Sequence, residues 1–270
     1  MHGSGTVRGL TLVLSLWASI GAAQQAESAH EKGCKKGEPA ECFSLALAYQ
    51  QGLGGTVKDE ARAATLFQKA CDKGHLEACN NLGIAYAEGQ GVHRDPKQSI
   101  ALFEKTCKAE DAKGCFNLGL AYTTGLAGEQ NPTRAATYYE KACGKGHADG
   151  CFSLGLSYVH GNGVEKSPER AASAFDKGCE AGNMSACSSL GVAYMTGAGV
   201  KLDARRAATL FEKSCNAGMP GGCLNLGLAH LKGNGVDKNM ERARLLFQRG
   251  CELGLRPSCE AYRRASKPAP

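Results

Sequence analysis

Fourteen cysteines are the residues of this chain whose type and spacing could do chemistry. They fall into seven pairs, and the two members of every pair are eight residues apart. From Cys71 onward each pair begins 36 residues after the previous one, whereas the first interval is 37. The pairs are Cys34/Cys42, Cys71/Cys79, Cys107/Cys115, Cys143/Cys151, Cys179/Cys187, Cys215/Cys223 and Cys251/Cys259. Such pairs could form structural disulfides, bind a metal or exchange thiols.

The spacing favours structural disulfides. There is no Cys-x-x-Cys, and only His75 and His147 lie between paired cysteines, so a zinc site would lack ligands in most repeats. Redox pairs are usually close, strained and exposed. Residues eight apart in one helix are about 12 Å apart, whereas a disulfide needs Cα atoms roughly 4.4–6.8 Å apart. If each pair bonds, the chain reverses between its members, and we expect neither metal nor other cofactor.

No catalytic motif stands out among the remaining residues. No serine has a lysine three residues later, as serine β-lactamases require, and there is no Gly-x-Ser-x-Gly or His-Glu-x-x-His. The histidines are scattered, and His230 replaces a packing tyrosine. We therefore assign no catalytic residue.

The N-terminus has the pattern of an export signal. Arg8 is followed by the apolar run Leu10 to Ile20 and then by the small residues Gly21, Ala22 and Ala23. The run is too short to span a membrane. We predict a signal peptide over 1–23 and a repeat domain over 24–270 with a short basic tail from about 263. The protein is then periplasmic or secreted, where disulfides persist.

The charge is that of an ordinary soluble domain. The formal net charge is +6, and no Lys/Arg cluster is long enough to indicate nucleic-acid binding. We interpret the basic tail of Arg263, Arg264 and Lys267 as solvated. No membrane span and a monomeric state are expected.

The segments around the cysteines predict paired helices. Twelve residues before each first cysteine, from the second pair on, stands a residue type that caps helix N-termini: Asp59, Asp95, Asn131, Ser167, Asp203 and Asn239. An aromatic ring always lies four residues before that cysteine. After the cysteine comes a turn, usually with a glycine, and then a helix carrying Leu-Gly-x-x-Tyr, as in Leu82, Gly83 and Tyr86. A Gly-x-Gly-Val loop leads to the next repeat.

The fold class predicted from these patterns is all-α, an α/α solenoid of about six 36-residue helix-turn-helix repeats with one disulfide each. We call the helix that leads to each first cysteine helix B and the helix that carries Leu-Gly-x-x-Tyr helix A. A capping helix B near Ala26 to Lys36 and a truncated helix A from Cys259 to about Arg264 are expected at the ends.

The combination of Leu-Gly-x-x-Tyr, Gly-x-Gly-Val and an aromatic four before Ala-Cys resembles the Sel-like repeat, a relative of the tetratricopeptide repeat. The added Cys-x7-Cys resembles its bacterial secreted cysteine-rich branch. The resemblance extends from about Ala26 to Tyr262. Two loops depart from it: residues 124–128 replace Gly-x-Gly-Val, with Glu110 in the preceding turn where glycine is expected, and residues 52–55 contain an insertion.

The resemblance implies a scaffold that binds peptides or partner proteins along a concave face built by the A helices. The groove is expected to include residues that follow the second cysteines: Phe43, Asn80, Asn81, Phe116, Asn117, Phe152, Ser188 and Asn225. Phe116 and Phe152 would form an apolar pocket, the asparagines would pair with an extended peptide backbone, and Thr123, Val159 and Met195 would continue the surface. Alternatively, the phenylalanines pack between hairpins and the asparagines bond within their own repeats.

Members of this branch have also been assigned penicillin binding and slow β-lactamase activity. The resemblance therefore leaves two functions open: a scaffold for peptide or protein partners, including cell-wall peptide, or a β-lactam-binding hydrolase of penicillins. The chain lacks Ser-x-x-Lys and a zinc motif, so known catalytic motifs do not account for the second.

Overall fold

The computed structural model describes residues 30–126 and 128–266. The predicted signal peptide and Lys267 lie outside these residues. Within them the chain forms fourteen helices and no strand. The helices are α1 (30–36), α2 (Pro39–Gln51), α3 (Glu60–Asp72), α4 (Leu76–Glu88), α5 (Pro96–Lys108), α6 (Ala112–Thr124), α7 (Pro132–Gly144), α8 (Ala148–His160), α9 (Pro168–Glu180), α10 (Met184–Thr196), α11 (Ala204–Asn216), α12 (Pro220–Lys232), α13 (Met240–Glu252) and α14 (Arg256–Ala265). Even-numbered helices are the A helices and odd-numbered ones the B helices, which confirms the all-α solenoid.

Two compact units make up the chain, and they divide between Ala109 and Glu110. The first contains α1 to α5, and the second contains α6 to α14. In each unit the core is built from the faces of successive helices, with alanine, leucine, cysteine and aromatic residues from several repeats in one cluster. No hairpin has a core of its own, as expected of a solenoid.

The N-cap residues predicted for the B helices cap them. The Asp59 side chain accepts from the backbone N–H of Arg62 at 2.9 Å, and Asn239 accepts likewise from Arg242 at 2.8 Å. All six predicted caps accept such a bond, which satisfies donors that a helix start leaves free.

The glycine of Leu-Gly-x-x-Tyr packs directly against the aromatic ring of the following helix B. A Cβ placed on Gly155 would lie 2.4 Å from the Phe175 ring, and one on Gly83 would lie 2.5 Å from the Phe103 ring. The same contact joins Gly191 to Phe211. Helix A therefore packs closely on the following helix B because its glycine leaves room for that ring.

The second glycine of the Gly-x-Gly-Val loop links one repeat to the preceding one. Gly163 has φ +73°, and a Cβ there would lie 2.1 Å from the carbonyl oxygen of Pro132, at the start of the preceding helix B. Gly199 stands in the same relation to Pro168. Only glycine allows the two backbones to approach so closely.

Each disulfide whose geometry is described joins a helix B to the following helix A across the predicted reversal. In the six pairs whose geometry is described, the Cα atoms are between 4.4 Å (Cys143 and Cys151) and 4.7 Å (Cys71 and Cys79) apart. Cys107 and Cys115 are disulfide-bonded as well, and none of the described cysteines is free. The prediction of one disulfide per repeat is confirmed.

The start of helix A corrects one predicted boundary. The truncated helix A was expected to begin at Cys259, but α14 begins at Arg256. Every complete helix A likewise begins three residues before its second cysteine, which places these cysteines in the first turn of the helix: Cys42, Cys79, Cys115, Cys151, Cys187 and Cys223. The physical reason is that the residue before the helix can cap it from there, as Asn183 does for α10.

The irregular loops keep the helices in register. Glu110 adopts φ +63°, the left-handed conformation that glycine takes in the other turns of this kind. In the first repeat, the Thr56 hydroxyl donates to the carbonyl oxygen of Ala48 at 2.9 Å and fixes the longer loop against α2. Both departures from the repeat pattern are confined to loops.

Candidate ligand-binding surface of the A helices

The second cysteines of five pairs lie in the core and form no part of an accessible site. Each exposes 1% or less of its surface: Cys42, Cys79, Cys151, Cys187 and Cys223. Each Sγ lies 3.6 or 3.7 Å from the carbonyl oxygen of its paired cysteine. An oxidised sulfur carries no proton to donate, so this is a packing contact.

The burial of these cysteines limits them to a structural role. They are disulfide partners, as predicted, but Cys42, Cys79, Cys151, Cys187 and Cys223 offer no surface to a ligand, a metal or an attacking thiol. Thiol exchange requires access to a sulfur atom. The sequence could not show this burial, because it depends on the helix of the neighbouring repeat that covers the first turn of helix A.

The phenylalanines that follow the second cysteines pack against the next helix B. Phe43 lies 5.9 Å from Phe67 between ring centroids, and Phe152 lies 6.0 Å from Phe175. Phe116 makes the same contact with Tyr139. These rings are half-buried, so each packs against the next helix B and leaves part of its surface accessible.

Two of these rings also stack on a histidine that caps the next helix A. Phe43 lies 4.5 Å from the ring of His75, and Phe116 lies 4.5 Å from that of His147. Each histidine accepts the backbone N–H three residues later through Nδ1, at 3.3 Å for His75 and 3.1 Å for His147. Burial lowers the pKa of His147; nearby Lys113 lowers it further, whereas Asp149 and Asp111 oppose that shift.

The asparagines of the predicted groove differ in position. Asn80 is fully buried, and its Oδ1 accepts from the Thr106 hydroxyl at 2.8 Å. Asn80 therefore has no surface to offer a ligand, and its inclusion in the groove was wrong. The physical reason is that a buried polar side chain needs an internal hydrogen-bond partner, which here is Thr106. Asn81 and Asn117 are half-buried. Asn225 Nδ2 donates to Ser188 Oγ at 3.5 Å.

An open cleft of about 410 Å³ lies between α8 and α10 in the second unit. Aliphatic side chains line its sides, chiefly Leu156, Val159 and Val192, and Phe175 of α9 forms part of its wall. Ser189 and Thr196 add hydroxyl groups, and Lys166 adds a positive charge. Val192 is 43% exposed. The cleft is therefore mainly apolar with a few polar groups, as ligand sites commonly are.

A second cleft, of about 190 Å³, repeats this arrangement between α10 and α12. Val192 and Met195 of α10 line it together with Asn225, Leu228 and Lys232 of α12. Val192 and Thr196 therefore border both clefts. Of the residues expected to continue the groove, Val159 and Met195 line these clefts, and Thr123 is exposed and bonds to the Tyr139 hydroxyl at 2.8 Å.

The sequence reasoning missed the aliphatic row on which the clefts depend. Five residues after the second cysteine, every full A helix carries an exposed or half-buried aliphatic residue: Leu47, Ile84, Leu120, Leu156, Val192 and Leu228. A leucine at helical spacing looks like a core residue in the sequence. The available signal was that this row lies beside the polar Ser/Asn row, on one helical face with it.

A second missed feature is a basic residue two positions before each first cysteine from the second pair on. The Nζ of Lys69 donates to the carbonyl oxygen of Cys34 at 2.6 Å, and that of Lys105 to Cys71 at 3.2 Å. A cation here satisfies a carbonyl at the end of the preceding helix B and complements its dipole. These lysines join neighbouring B helices.

The third residue of most B helices is an arginine that lies over a tyrosine of the preceding helix A. The guanidinium carbon of Arg170 is 4.5 Å from the Tyr158 ring centroid, and that of Arg206 is 5.6 Å from Tyr194. Arg62 and Arg134 make the same contact with Tyr49 and Tyr122. Most B helices therefore carry an exposed arginine at the same position in their first turn.

The remaining site chemistry of the described residues is limited. Among residues 30–126 and 128–266, no three His, Cys, Asp or Glu side chains are grouped so that they could hold a metal ion. In the same residues, every helix is too short or too polar to cross a bilayer.

Comparison with known proteins identifies relatives of this architecture. The c5321 protein of uropathogenic Escherichia coli, a protective antigen displaying an SLR fold, superposes with a TM-score of 0.78 at 28% identity, covering 86% of this chain. This chain spans only 50% of that structure's length. A Sel1 repeat protein from Oxalobacter formigenes gives a TM-score of 0.67 at 25% identity, covering 83% of this chain and 96% of that one.

Helicobacter pylori cysteine-rich protein B is 34% identical over 48% of this chain and 94% of its own, with a TM-score of 0.40. A search of curated proteins gave no significant match. The family model for the Sel1 repeat matches residues 42–75, 76–111, 112–147, 148–183, 185–219 and 220–255. These six matches cover most of the chain, and with the helix pairs described above they show that it belongs to the Sel1 repeat family.

Proposed function

We propose that this protein is an exported, disulfide-stapled scaffold that binds extended peptide segments of partner proteins on the A helices of its second unit. The observation that carries the proposal is the pair of successive clefts that share Val192 and Thr196. Each cleft presents aliphatic walls beside hydroxyl or amide groups, so that it could hold an apolar side chain while polar groups bond to the peptide backbone.

The repetition of the clefts fits an extended chain. α10 contacts both α8 and α12, and packed helices lie about 8–10 Å apart. A peptide in the extended polyproline II conformation has three residues per turn and advances about 3.1 Å per residue. Side chains three residues apart therefore point the same way, about 9 Å apart, and would enter neighbouring clefts. The larger cleft has room for a bulkier side chain than the smaller one, and Asn225 borders the smaller one.

Export is supported by two independent features. A disulfide in every repeat is typical of proteins that fold in an oxidising compartment, and the first residues of the sequence have the pattern of a signal peptide. Peptides of secreted or surface proteins, including cell-wall peptide, are therefore the ligands to screen first.

The test compares two charge substitutions at exposed aliphatic residues. Peptides selected from a random library on the oxidised protein are labelled, and their affinity is measured by fluorescence anisotropy. Val192→Glu should weaken binding at least about tenfold because it places a charge in both clefts. Leu202 is 61% exposed and lines neither cleft. Leu202→Glu should therefore leave the affinity unchanged. Equal affinity of both variants and the parent would contradict the proposal.

Hydrolysis of β-lactams is the alternative function that the family resemblance raised. It is tested by exposing the oxidised protein to a chromogenic β-lactam beside a reduced and denatured sample. Turnover that is proportional to folded protein would establish an enzyme whose site lies outside known motifs. Turnover equal to that of the control would leave peptide binding as the working function.

A further inference from the structure

The last B helix, α13, presents a stripe of alternating arginines and leucines. Arg242, Leu245, Arg249 and Leu253 are spaced by three, four and four residues, so they lie on one side of the helix and its C-cap. The two arginines are exposed, Leu245 is 48% exposed, and Leu253 is 42% exposed. Arg249 also donates to the carbonyl oxygen of Asn216 at 3.5 Å, whereas its side chain stays accessible to solvent. We call these four residues the α13 stripe.

The leucines of the stripe are peculiar to this repeat. At the position of Leu245 the earlier B helices carry small residues: Thr65, Ala101, Thr137, Ser173 and Thr209. At the position of Leu253 they carry Lys73, Ala109, Lys145, Ala181 and Ala217. Five equivalent helices pack without a large apolar side chain at either position, so the repeat fold does not require these leucines.

Positive charge is concentrated in the same part of the chain. Residues 205–264 contain 11 Lys and Arg against 5 Asp and Glu, and they hold eight of the chain's 13 arginines. Arg263 and Arg264 of α14 are exposed. Some charges are partly compensated: Arg256 pairs with Glu260 at 3.1 Å, and Glu241 and Glu252 lie at the two ends of α13. A net positive charge remains after these pairs are counted.

We propose that the α13 stripe binds the surface of an anionic lipid bilayer. Exposed leucines on a helix surface can enter the interfacial region, while guanidinium groups beside them contact lipid phosphates. A soluble polyanion would use the arginines but gain nothing from the leucines. The protein would lie on the membrane without spanning it.

The experiment measures co-sedimentation of the processed, oxidised protein with vesicles of equal parts phosphatidylglycerol and phosphatidylcholine, and with vesicles of phosphatidylcholine alone. We expect binding to the anionic vesicles only, and release as salt rises because these charges are exposed to solvent. Arg242→Gln should weaken binding about fivefold, the effect of one charge near an anionic surface. Leu245→Thr should weaken it by at least about as much, because it removes the side chain that enters the interface.

Both substitutions occur naturally at equivalent positions, at Gln98 and at Thr209, so the variants should fold. The control is Arg134→Gln, the same change in the same register of α7, which should leave binding unchanged. The N-terminal segment is identical in all variants, so only differences between them are compared. Equal binding by all variants, or equal binding to both vesicle types, would overturn the proposal. Loss with Arg242→Gln but not with Leu245→Thr would also overturn it and would indicate a soluble polyanion as the ligand.

Discussion

Glu110 stands at a turn position where the other repeats carry Gly37, Gly74, Gly146, Gly182, Gly218 and Gly254. All seven residues have positive φ, and Glu110 is the one non-glycine residue with positive φ in the described part of the chain. A side chain in this conformation costs on the order of 1 kcal/mol or more. The ion pair that Glu110 forms with Lys145 is at the surface, where such pairs contribute little.

Glu110→Gly should therefore raise the free energy of unfolding by about 1 kcal/mol, measured by urea denaturation of the oxidised protein. The reverse change, Gly146→Glu, adds a Cβ that would meet no neighbouring atom within 4 Å. Its cost should therefore come mainly from the backbone conformation, and it should lower the stability by a similar amount. A stability loss in Glu110→Gly would show that the ion pair outweighs the strain.

The helix elements were largely predictable because their signals are local. N-caps, the left-handed turn and the glycine–ring contact depend on residues within one repeat or its neighbour, and they recur often enough to be recognised. The exposed surface was less predictable. Whether Asn80 or Leu156 faces solvent depends on which helix of the next repeat covers it, as Thr106 does for Asn80. Residues at the same repeat position in the sequence can therefore differ in burial.

At the same scale, the His147 cap predicts a pH dependence. His147 Nδ1 accepts the N–H of Gly150, which requires an unprotonated Nδ1, and its pKa is lowered by burial in the folded protein. The contribution of His147 to the free energy of unfolding should be complete above the unfolded-state pKa of about 6.5. It should fall as the pH drops toward the lowered folded-state pKa, because the unfolded chain then binds a proton that the folded chain does not.

The measurement is the free energy of unfolding across this pH range for the parent and for His147→Asn. Asparagine is a fair replacement because Asn183 caps α10 from the same position, accepting from Ala186 at 2.7 Å. The difference in stability between the two proteins should shift in favour of the variant as the pH falls below about 6.5. A difference independent of pH would show that His147 does not titrate as inferred.

The whole molecule depends on covalent links that are short and numerous. Each disulfide closes a loop of eight residues, which in the chain-entropy model contributes roughly 2.5 kcal/mol. Seven such links are large beside a typical net stability of about 5–15 kcal/mol. The two units share this design, since each contains disulfides that join a helix B to the following helix A.

Complete reduction should therefore unfold the protein near room temperature. Circular dichroism during titration with reductant would follow the helix content, and thiol counting would give the number of broken links. The oxidised protein should show no reactive thiol, in agreement with the absence of free cysteines among the described residues. A fully reduced chain with an unchanged melting temperature would contradict the stabilising role of the disulfides.

The contact of the loop glycine with the preceding helix start, as between Gly163 and Pro132, has an evolutionary consequence. Each repeat whose loop is Gly-x-Gly-Val carries both halves of this contact, a glycine for the neighbour before it and a helix start for the neighbour after it. Repeats of this kind can therefore join one another in any order. Unequal recombination within the gene could add or remove a 36-residue unit without a new complementary surface having to arise. The array can thus change length in whole steps and gain or lose clefts on the A helices as it does so.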